Sequence, residues 1–404
     1  MTSVNAGARA VRLPGRRRRL ATAAVAFAFW ITMVGTTVPT PLYPLYERAF
    51  GFSSFAATVV FAVYACGVVG GLLILGGLAD QVGRRPVQAA ALLLSVAAAV
   101  VFLLARGLTA LLVGRVLSGL SAALITGAAT AGLTELAPAA RRARAGVLAL
   151  AANMGGLACG TLLGGVTAQY APAPLRILWG AQGALAVVGL IGLVAVPETV
   201  ARTGRVSLGI QRLRVPAAVR GTFLRSALAS GSGFAVLGVF ASVSGLFLAE
   251  VRVRDLAVAG VVVGLAFLST GAGQLLVGGL GARAAPPVAC CGLIVAAALI
   301  AAALLGRLLV PLVAASVLTG LATGVAVRDG VTRIATSVAP ERRGEACSAF
   351  FVILYAMLAA PAVGGGVLVE AYGLVTAGTV FAAAVAVLAA AVLAALVRAR
   401  AGEL

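Results

Sequence analysis

Apolar residues run along this chain in long stretches that short polar segments separate. A helix that crosses the hydrocarbon core of a bilayer needs roughly 20 predominantly apolar residues. The pattern therefore predicts an all-α membrane protein with twelve spanning helices. We place them at residues 20–43, 55–78, 87–105, 108–134, 145–169, 175–197, 224–249, 256–280, 287–306, 308–328, 346–369 and 374–397.

The longest polar connection, residues 198–223, divides the chain into two halves. The basic start followed by an apolar run is similar to a signal peptide, but the run continues to about Pro41 without a small-residue cleavage site. We therefore expect an uncleaved first span. The predicted organisation is a disordered basic cytoplasmic arm (1–19), a six-helix bundle (20–200), a cytoplasmic linker (201–222), a second six-helix bundle (223–398) and a cytoplasmic tail (399–404).

The composition agrees with a lipid environment, because 62% of the residues are hydrophobic and only 10% are charged. Soluble domains are about 25% charged. The net charge of +20 does not indicate nucleic-acid binding, because the basic residues, all of them arginine, lie in short clusters between apolar stretches. The five cysteines lack metal-site spacing, and we interpret them as small packing residues.

The arginines also predict the orientation in the membrane. With a cytoplasmic N-terminus, 24 of the 31 arginines lie on the cytoplasmic side, six lie outside, and Arg115 lies within a span. Cytoplasmic loops carry an excess of basic residues. We therefore expect both termini in the cytoplasm and the protein in the cell membrane.

An internal repeat relates the two halves. The segment RVLSGLSAA at 115–123 recurs as SVLTGLATG at 316–324, and GGL at 76–78 recurs at 278–280, with offsets of 201 and 202 residues. Such self-similarity predicts two bundles of the same topology. Their relation is that of the two halves of some transporters, about an axis along the membrane normal.

Three motifs resemble those of the major facilitator superfamily, and the resemblance covers residues 20–398. The loop GGLADQVGRRP at 76–86 is similar to the signature loop of that family, and RVLSG at 115–119 is similar to its helix-four motif. The segment GLACGTLLGG resembles the helix-five motif of the family's antiporters. That third motif comprises Gly156, Gly160, Thr161, Gly164 and Gly165, with Thr161 in place of the usual proline.

The resemblance implies a conformational latch at the signature loop. Asp80 would dock on the start of helix eleven, and Arg84 would pair with an acid at the end of helix four, a place that Glu135 occupies. This latch would favour the outward-open state, and the alternative is a loop that its arginines merely hold inside. The latch residues are Gly76, Asp80, Gly83, Arg84, Arg85 and Glu135, and the two glycines would allow close packing and a tight turn.

Two residues are candidates for ion coupling, Arg115 and Asp329. An arginine at the centre of a spanning helix costs about 2.5–3.5 kcal/mol, so it usually faces a cavity or a partner. The alternative for Arg115 is a packing residue that snorkels outward. Asp329 is the deepest remaining candidate, and an interfacial ion pair with the adjacent Arg328 is the alternative there.

The resemblance implies a central cavity lined by helices one, four, seven and ten. Polar residues near mid-depth are its candidates, although such residues often form interhelical hydrogen bonds instead. They are Thr32, Thr36, Tyr64, Ser118, Asn153, Gln274, Thr319 and Tyr355. The mostly apolar, neutral lining favours a lipophilic or weakly polar substrate.

The segment that ends helix one is the candidate outer gate. Pro39, Pro41 and Pro44 prevent a regular helix there. Tyr43 and Tyr46 are expected in an interfacial aromatic belt. The alternative is a simple helix exit.

The leading functional hypothesis is a monomeric transporter that exports small amphiphilic or lipophilic compounds, driven by the proton gradient and without a bound cofactor or metal. The alternatives are an uptake permease for a sugar or organic acid, and a membrane enzyme or receptor. Enzyme chemistry lacks parts, because the chain has no histidine, no G-x-S-x-G and, without lysine, no P-loop. The expected partners are a small-molecule substrate and the lipid bilayer.

Overall fold

The computed structural model describes residues 14–200, 219–253, 255–339 and 342–401. Its described part is helical, with short turns between long helices. We number these helices as α1 Gly15–Thr37, α2 Ser54–Leu75, α3 Arg84–Leu103, α4 Leu108–Leu136, α5 Arg142–Tyr170, α6 Pro174–Gly192, α7 Arg220–Glu250, α8 256–280, α9 282–306, α10 Leu309–Ser337, α11 Arg343–Tyr372 and α12 Leu374–Ala401.

Helices α8 and α9 are two parts of one continuous helical run of 51 residues, Leu256–Gly306. At 1.5 Å per residue this run is about 77 Å long, more than twice the thickness of the hydrocarbon core. Gly281 breaks it with φ 70° and ψ 157°, a conformation that favours glycine. The eleven long apolar helices of the described residues therefore make twelve spans, as the sequence predicts.

The first helix ends before the prolines, earlier than the predicted end of the span at residue 43. Helix α1 stops at Thr37, and a 3-10 turn, Thr40–Leu42, leads into a short helix, Tyr43–Phe50. The prediction of an interfacial belt is wrong, because Tyr43 is 3% and Tyr46 1% exposed. The short helix folds back onto the first half, so both rings are enclosed by protein.

Three predicted boundaries shift by several residues. The basic arm is shorter than predicted, because α1 already begins at Gly15, and α7 begins at Arg220 within the predicted linker. The last helix continues to Ala401 and includes part of the predicted tail. The rest of the predicted arm, linker and tail, at 1–13, 201–218 and 402–404, lies outside the described residues, as does Arg254.

The helices alternate in direction, so each half has two ends. We call the end that holds Asp80 and Glu135 the latch side, and the opposite end, which holds Tyr43 and Asp255, the gate side. The contacts between the halves join α5 to α8 and α2 to α11. The largest buried apolar cluster fills the first half and extends to Val263 and Leu358 of the second.

Candidate functional site

Arg84 joins two acids on the latch side. Its guanidinium lies 2.6 Å from the carboxylate of Asp80, one turn earlier, and 3.1 Å from that of Glu135 at the end of α4. The second oxygen of Glu135 accepts a hydrogen bond from the hydroxyl of Thr199 at 2.5 Å. The Arg84–Glu135 pair that the family resemblance implies is therefore present, and it connects the loop after α2 to α4.

Glu198 is a latch-side residue that our sequence reasoning missed. Its carboxylate accepts hydrogen bonds from the backbone N–H groups of Arg84 at 2.8 Å and Arg85 at 3.2 Å. The same carboxylate accepts the N–H groups of Thr199 and Val200. The first N–H groups of a helix have no partner within it, and a negative charge there is favourable. Glu198 thus caps α3 from the segment that follows α6.

The two glycines of the signature loop differ in what they contribute. Gly83 has φ 107°, which residues with a side chain rarely adopt, and a methyl group on it would lie 2.5 Å from Cδ of Glu198. Gly76 has φ −58° and ψ −29°, an ordinary right-handed conformation. The conformation at Gly83 and the close approach of Glu198 therefore require glycine, whereas Gly76 lies in the turn after α2 with a conformation that any residue can adopt.

Asp80 does not dock on the second half in this conformation. Its side chain is 69% exposed and pairs with Arg84 within the first half. The docking of Asp80 on the start of helix eleven thus remains a prediction for another conformation.

Arg115 is completely buried, which rules out the snorkelling alternative. Its guanidinium donates a hydrogen bond to the carbonyl oxygen of Thr36 at 2.7 Å and another to the hydroxyl of Tyr43. Thr36 lies in the last turn of α1, where the carbonyls lack partners within the helix and carry the negative end of its dipole. The break after α1 therefore creates the acceptor that holds Arg115.

Aromatic faces complete the surroundings of Arg115. The guanidinium carbon lies 5.5 Å from the ring centroid of Tyr43 and 5.6 Å from that of Tyr64, within the range of cation–π attraction. Among the described carboxylates, none forms an ion pair with Arg115. Neutral dipoles and π-systems therefore stabilise this buried charge.

The helix-five motif presents two faces of small residues to two different helices. A methyl group on Gly156 would come within 2.6 Å of Met33, and one on Gly164 within 2.8 Å of the Val38 carbonyl. Gly160 lies on that same face, and the hydroxyl of Thr37 donates across it to the carbonyl of Leu157 at 2.7 Å. This face lets α5 pack closely against α1 and against Val38, the residue that follows α1.

The other face of the motif meets the second half of the protein. A methyl group on Gly165 would lie 2.6 Å from the carbonyl oxygen of Leu256 and 3.0 Å from the Cα atom of Gly260. Thr161 is fully buried on this face, and its carbonyl faces Gly260. The motif therefore brings α5 and α8 into backbone contact between mid-depth and the gate side.

Polar contacts close the same interface on the gate side. The side-chain oxygen of Gln169, near the end of α5, accepts a hydrogen bond from the first N–H of α8, on Leu256, at 3.0 Å. Asp255 caps α8 through the N–H of Ala257 at 2.8 Å and also accepts from the hydroxyl of Tyr170 at 3.4 Å. Both halves thus supply acceptors to the N-terminus of α8.

The cavity candidates do not form one group. Tyr64 and Tyr355, from opposite halves, lie with ring centroids 6.5 Å apart, and Phe234 lies 5.9 Å from Tyr355. Thr32 and Ser118 instead face helices of their own half, with Gln182 and Ser95. Their hydroxyls donate to backbone carbonyls of their own helices at 2.8 and 3.0 Å, and their place in the central cavity stays a prediction.

The remaining candidates are buried to different degrees. Thr319 is 0% exposed inside the second half, Thr36 is 3% exposed beside Arg115, and Asn153 and Gln274 are half-buried.

Asp329 pairs with Arg333 at 2.6 Å, one turn away, and not with its neighbour Arg328. Among the described residues, no group of three acidic, cysteine or histidine side chains is arranged to hold a metal ion.

Comparison with known proteins defines the family. The sequence matches a model of the Major Facilitator Superfamily over residues 25–257, more than half of its length. The chain therefore belongs to the Major Facilitator Superfamily, and it is a multi-pass membrane transporter. No curated protein sequence gives a significant match.

Solved structures share the fold over nearly the whole chain. A crystal structure of a bacterial homolog of the human lysosomal transporter Spinster, inward-facing and unoccupied, is similar with a TM-score of 0.68, 17% identity and 95% of each chain covered. A mutant of the nucleoside transporter NupG gives a TM-score of 0.73, with 14% identity, 94% of this chain and 99% of that chain covered. At these identities the likeness concerns the fold alone.

Proposed function

We propose that this protein exports small amphiphilic or lipophilic compounds across the cell membrane by alternating access, coupled to proton entry. The aromatic cluster Tyr64, Tyr355 and Phe234 is the observation that carries the substrate class. It lies at mid-depth where the two halves meet, and its rings contact edge to face. No Asp or Glu lies in the middle of a span, so an apolar or weakly polar substrate suits this surface.

Arg115 supports the coupling part of the proposal. Its charge is held by the end of α1 and by Tyr43, so its stabilisation depends on how α1 and α4 sit against each other. Movement of substrate or charge near this contact changes the free energy of burying the charged guanidinium. In this proposal Arg115 couples charge to helix movement, and no proton-binding residue is assigned.

The latch and the gate support alternating access. The first half keeps the Arg84–Glu135 pair while Asp80 is exposed, and the two halves meet near Gln169 and Asp255. With the arginine-rich latch side in the cytoplasm, this arrangement is the inward-open state of a monomer. Docking of Asp80 on the start of α11 would then belong to the outward-open state.

The direct test is an export assay in a host that lacks its own drug pumps. Cells that express the protein are loaded with a panel of lipophilic drugs, and retention is measured with and without a protonophore. We expect faster loss of some panel members and loss of this advantage with the protonophore. Unchanged accumulation of the whole panel, or protein-dependent uptake of a sugar or organic acid, would contradict the export proposal.

Two tyrosine variants test whether the aromatic cluster contacts substrate. Tyr355→Ala removes the ring at the contact of the halves, whereas Tyr372→Ala removes a ring that is 69% exposed at the far end of the same helix. We expect Tyr355→Ala to change the order in which panel members are exported and Tyr372→Ala to leave that order intact. An equal effect of both variants would remove the cluster from the substrate path.

A further inference from the structure

The second half contains a cavity of about 520 Å³ on the latch side, between α7, α9, α10 and α12. Its lining residues all belong to the second half, so it is separate from the contact between the halves. This volume is within the range of small-molecule sites. The walls combine apolar residues of α12, Leu396 and Ala399, with polar residues of the other three helices.

The polar lining is strongly basic. Arg225 on α7, Arg283 at the start of α9 and Arg333 on α10 all line the cavity, and Asp329 is the one acid among its described lining residues. Arg333 is neutralised by Asp329 at 2.6 Å and also donates to the carbonyl of Ala282. Arg225 contacts the hydroxyl of Thr222 at 3.5 Å and forms no ion pair with the described carboxylates. Among the described lining residues, arginines therefore outnumber acids by three to one.

The internal repeat shows what the corresponding place in the first half contains. There the carboxylate of Glu198 lies at the start of α3 and accepts two of its N–H groups, while Thr199 bonds to Glu135 of α4. The first half thus supplies an anion to its own latch side. A repeat offset of 202 residues matches α3 to α9, whose start borders the basic cavity.

The donors differ between the two places. By the repeat offset, positions 286 and 287 correspond to Arg84 and Arg85 and are prolines, which have no N–H to donate. In the structure α9 begins directly after Gly281, so its first N–H groups lie ahead of these prolines. An anion there can also take hydrogen bonds from side chains. Arg225 together with the hydroxyls of Thr222 and Ser226, one turn apart on α7, presents such donors. Guanidinium groups suit phosphate oxygens because they can bind them in a bidentate manner.

We propose that the basic cavity binds a phosphate-bearing anion, either the headgroup of an anionic phospholipid or a free phosphate ester, in the place that the Glu198 carboxylate takes in the first half. The inference does not depend on the export proposal. A bound phosphate would join α7 to α9 and α10, as Glu198 joins α6 to α3. It would therefore stabilise the folded second half.

The test is ligand-dependent thermal stability of the purified full chain in neutral detergent micelles. The probes are dioctanoyl phosphatidylglycerol, glycerol phosphate and, as the uncharged comparison, dioctanoyl glycerol. A ligand that binds only the folded state raises the melting temperature in a concentration-dependent manner, which yields an apparent affinity. We expect phosphatidylglycerol, glycerol phosphate or both to stabilise the protein, and dioctanoyl glycerol not to do so.

If glycerol phosphate stabilises the protein, the phosphate group alone is sufficient for binding. If phosphatidylglycerol stabilises the protein and glycerol phosphate does not, the ligand is the headgroup of a membrane phospholipid. Both results support the proposal. If neither phosphatidylglycerol nor glycerol phosphate stabilises the wild-type protein, the proposal is overturned.

Charge variants should change the affinity in opposite directions. Arg225→Gln is expected to weaken it about tenfold, because a hydrogen bond to a charged group is lost. Asp329→Asn removes the one negative charge of the lining and should strengthen it. The matched control is Arg144→Gln, which removes an exposed arginine on the latch side of the first half.

A third variant keeps every charge and fills the space. Ala399→Phe adds bulk at a lining residue near the end of α12 and should weaken binding as Arg225→Gln does. This variant keeps the test decisive if a charge variant fails to fold. Equal affinity in the wild-type, Arg225→Gln and Ala399→Phe proteins would show that the phosphate binds elsewhere.

Discussion

The carboxylate of Glu198 accepts the backbone N–H of Arg84 at 2.8 Å, although the two residues lie 114 positions apart. The segment after α6 thereby caps α3, whose first residue also carries the ion pairs of the latch. Removal of the cap should therefore affect both the stability of the first half and the position of Arg84.

Glu198→Gln tests the cap without changing its shape. The amide keeps one acceptor oxygen but loses the negative charge that the start of α3 favours, so we expect a loss of about 1 kcal/mol. For a domain of the size of the first half, this loss of stability corresponds to a fall of about 2–4 °C in the melting temperature. Glu370→Gln, an exposed acid at the gate end of α11, is the control. An equal effect of both changes would contradict the cap.

Asp80→Asn tests whether the latch acts in transport rather than in the stability of the fold. Asp80 is 69% exposed, and an exposed ion pair contributes at most about 1 kcal/mol, so the melting temperature should change little. Transport should fall several-fold, because the docking predicted for the other conformation needs the charge. Membrane insertion, measured by expression and protease protection, should remain normal. Wild-type transport by well-expressed Asp80→Asn protein would remove the latch proposal.

Arg115→Lys tests whether the guanidinium bridges two partners. One guanidinium contacts both the Thr36 carbonyl and the Tyr43 hydroxyl, and a lysine ammonium has a different geometry and stronger hydration. We expect transport to fall about tenfold or more in Arg115→Lys, in line with the loss of roughly 1.5–3 kcal/mol per charged hydrogen bond. Tyr43→Phe should have a smaller effect, since the carbonyl contact remains. Full transport by Arg115→Lys would show that only the charge matters.

Gly165→Leu tests the backbone contact of α5 with α8. A side chain there collides with Leu256 and Gly260, so the gate side should close less completely. Gly155→Leu is a matched control on the same helix, because nothing lies within 4 Å of its would-be methyl group. The readout is a bifunctional crosslinker between cysteines at 169 and 256, with the native cysteines replaced. We expect Gly165→Leu to reduce crosslinking, and an equal yield in both variants would contradict this role.

Part of the candidate site follows from local sequence patterns. The pairing of Arg84 with Glu135 and the small-residue faces of α5 are encoded in short motifs with defined spacing, and the structure contains both. Glu198 escaped prediction because its partner is a backbone N–H group far away in the chain. The available signal was an acid directly after the last span of the first half, in a chain with only eleven acids.

The sequence alone determined the twelve spans, the two repeated halves and the break after α1, because lipid solubility, repeat spacing and proline act locally. Only the tertiary structure decided that Tyr43 and Tyr46 are buried, that Thr32 and Ser118 face their own half, and that Asp329 pairs with Arg333. The sequence around a polar or aromatic residue in a spanning helix is the same whichever way its side chain points. Its role depends on which neighbouring helix it meets, and that is set by packing between distant segments.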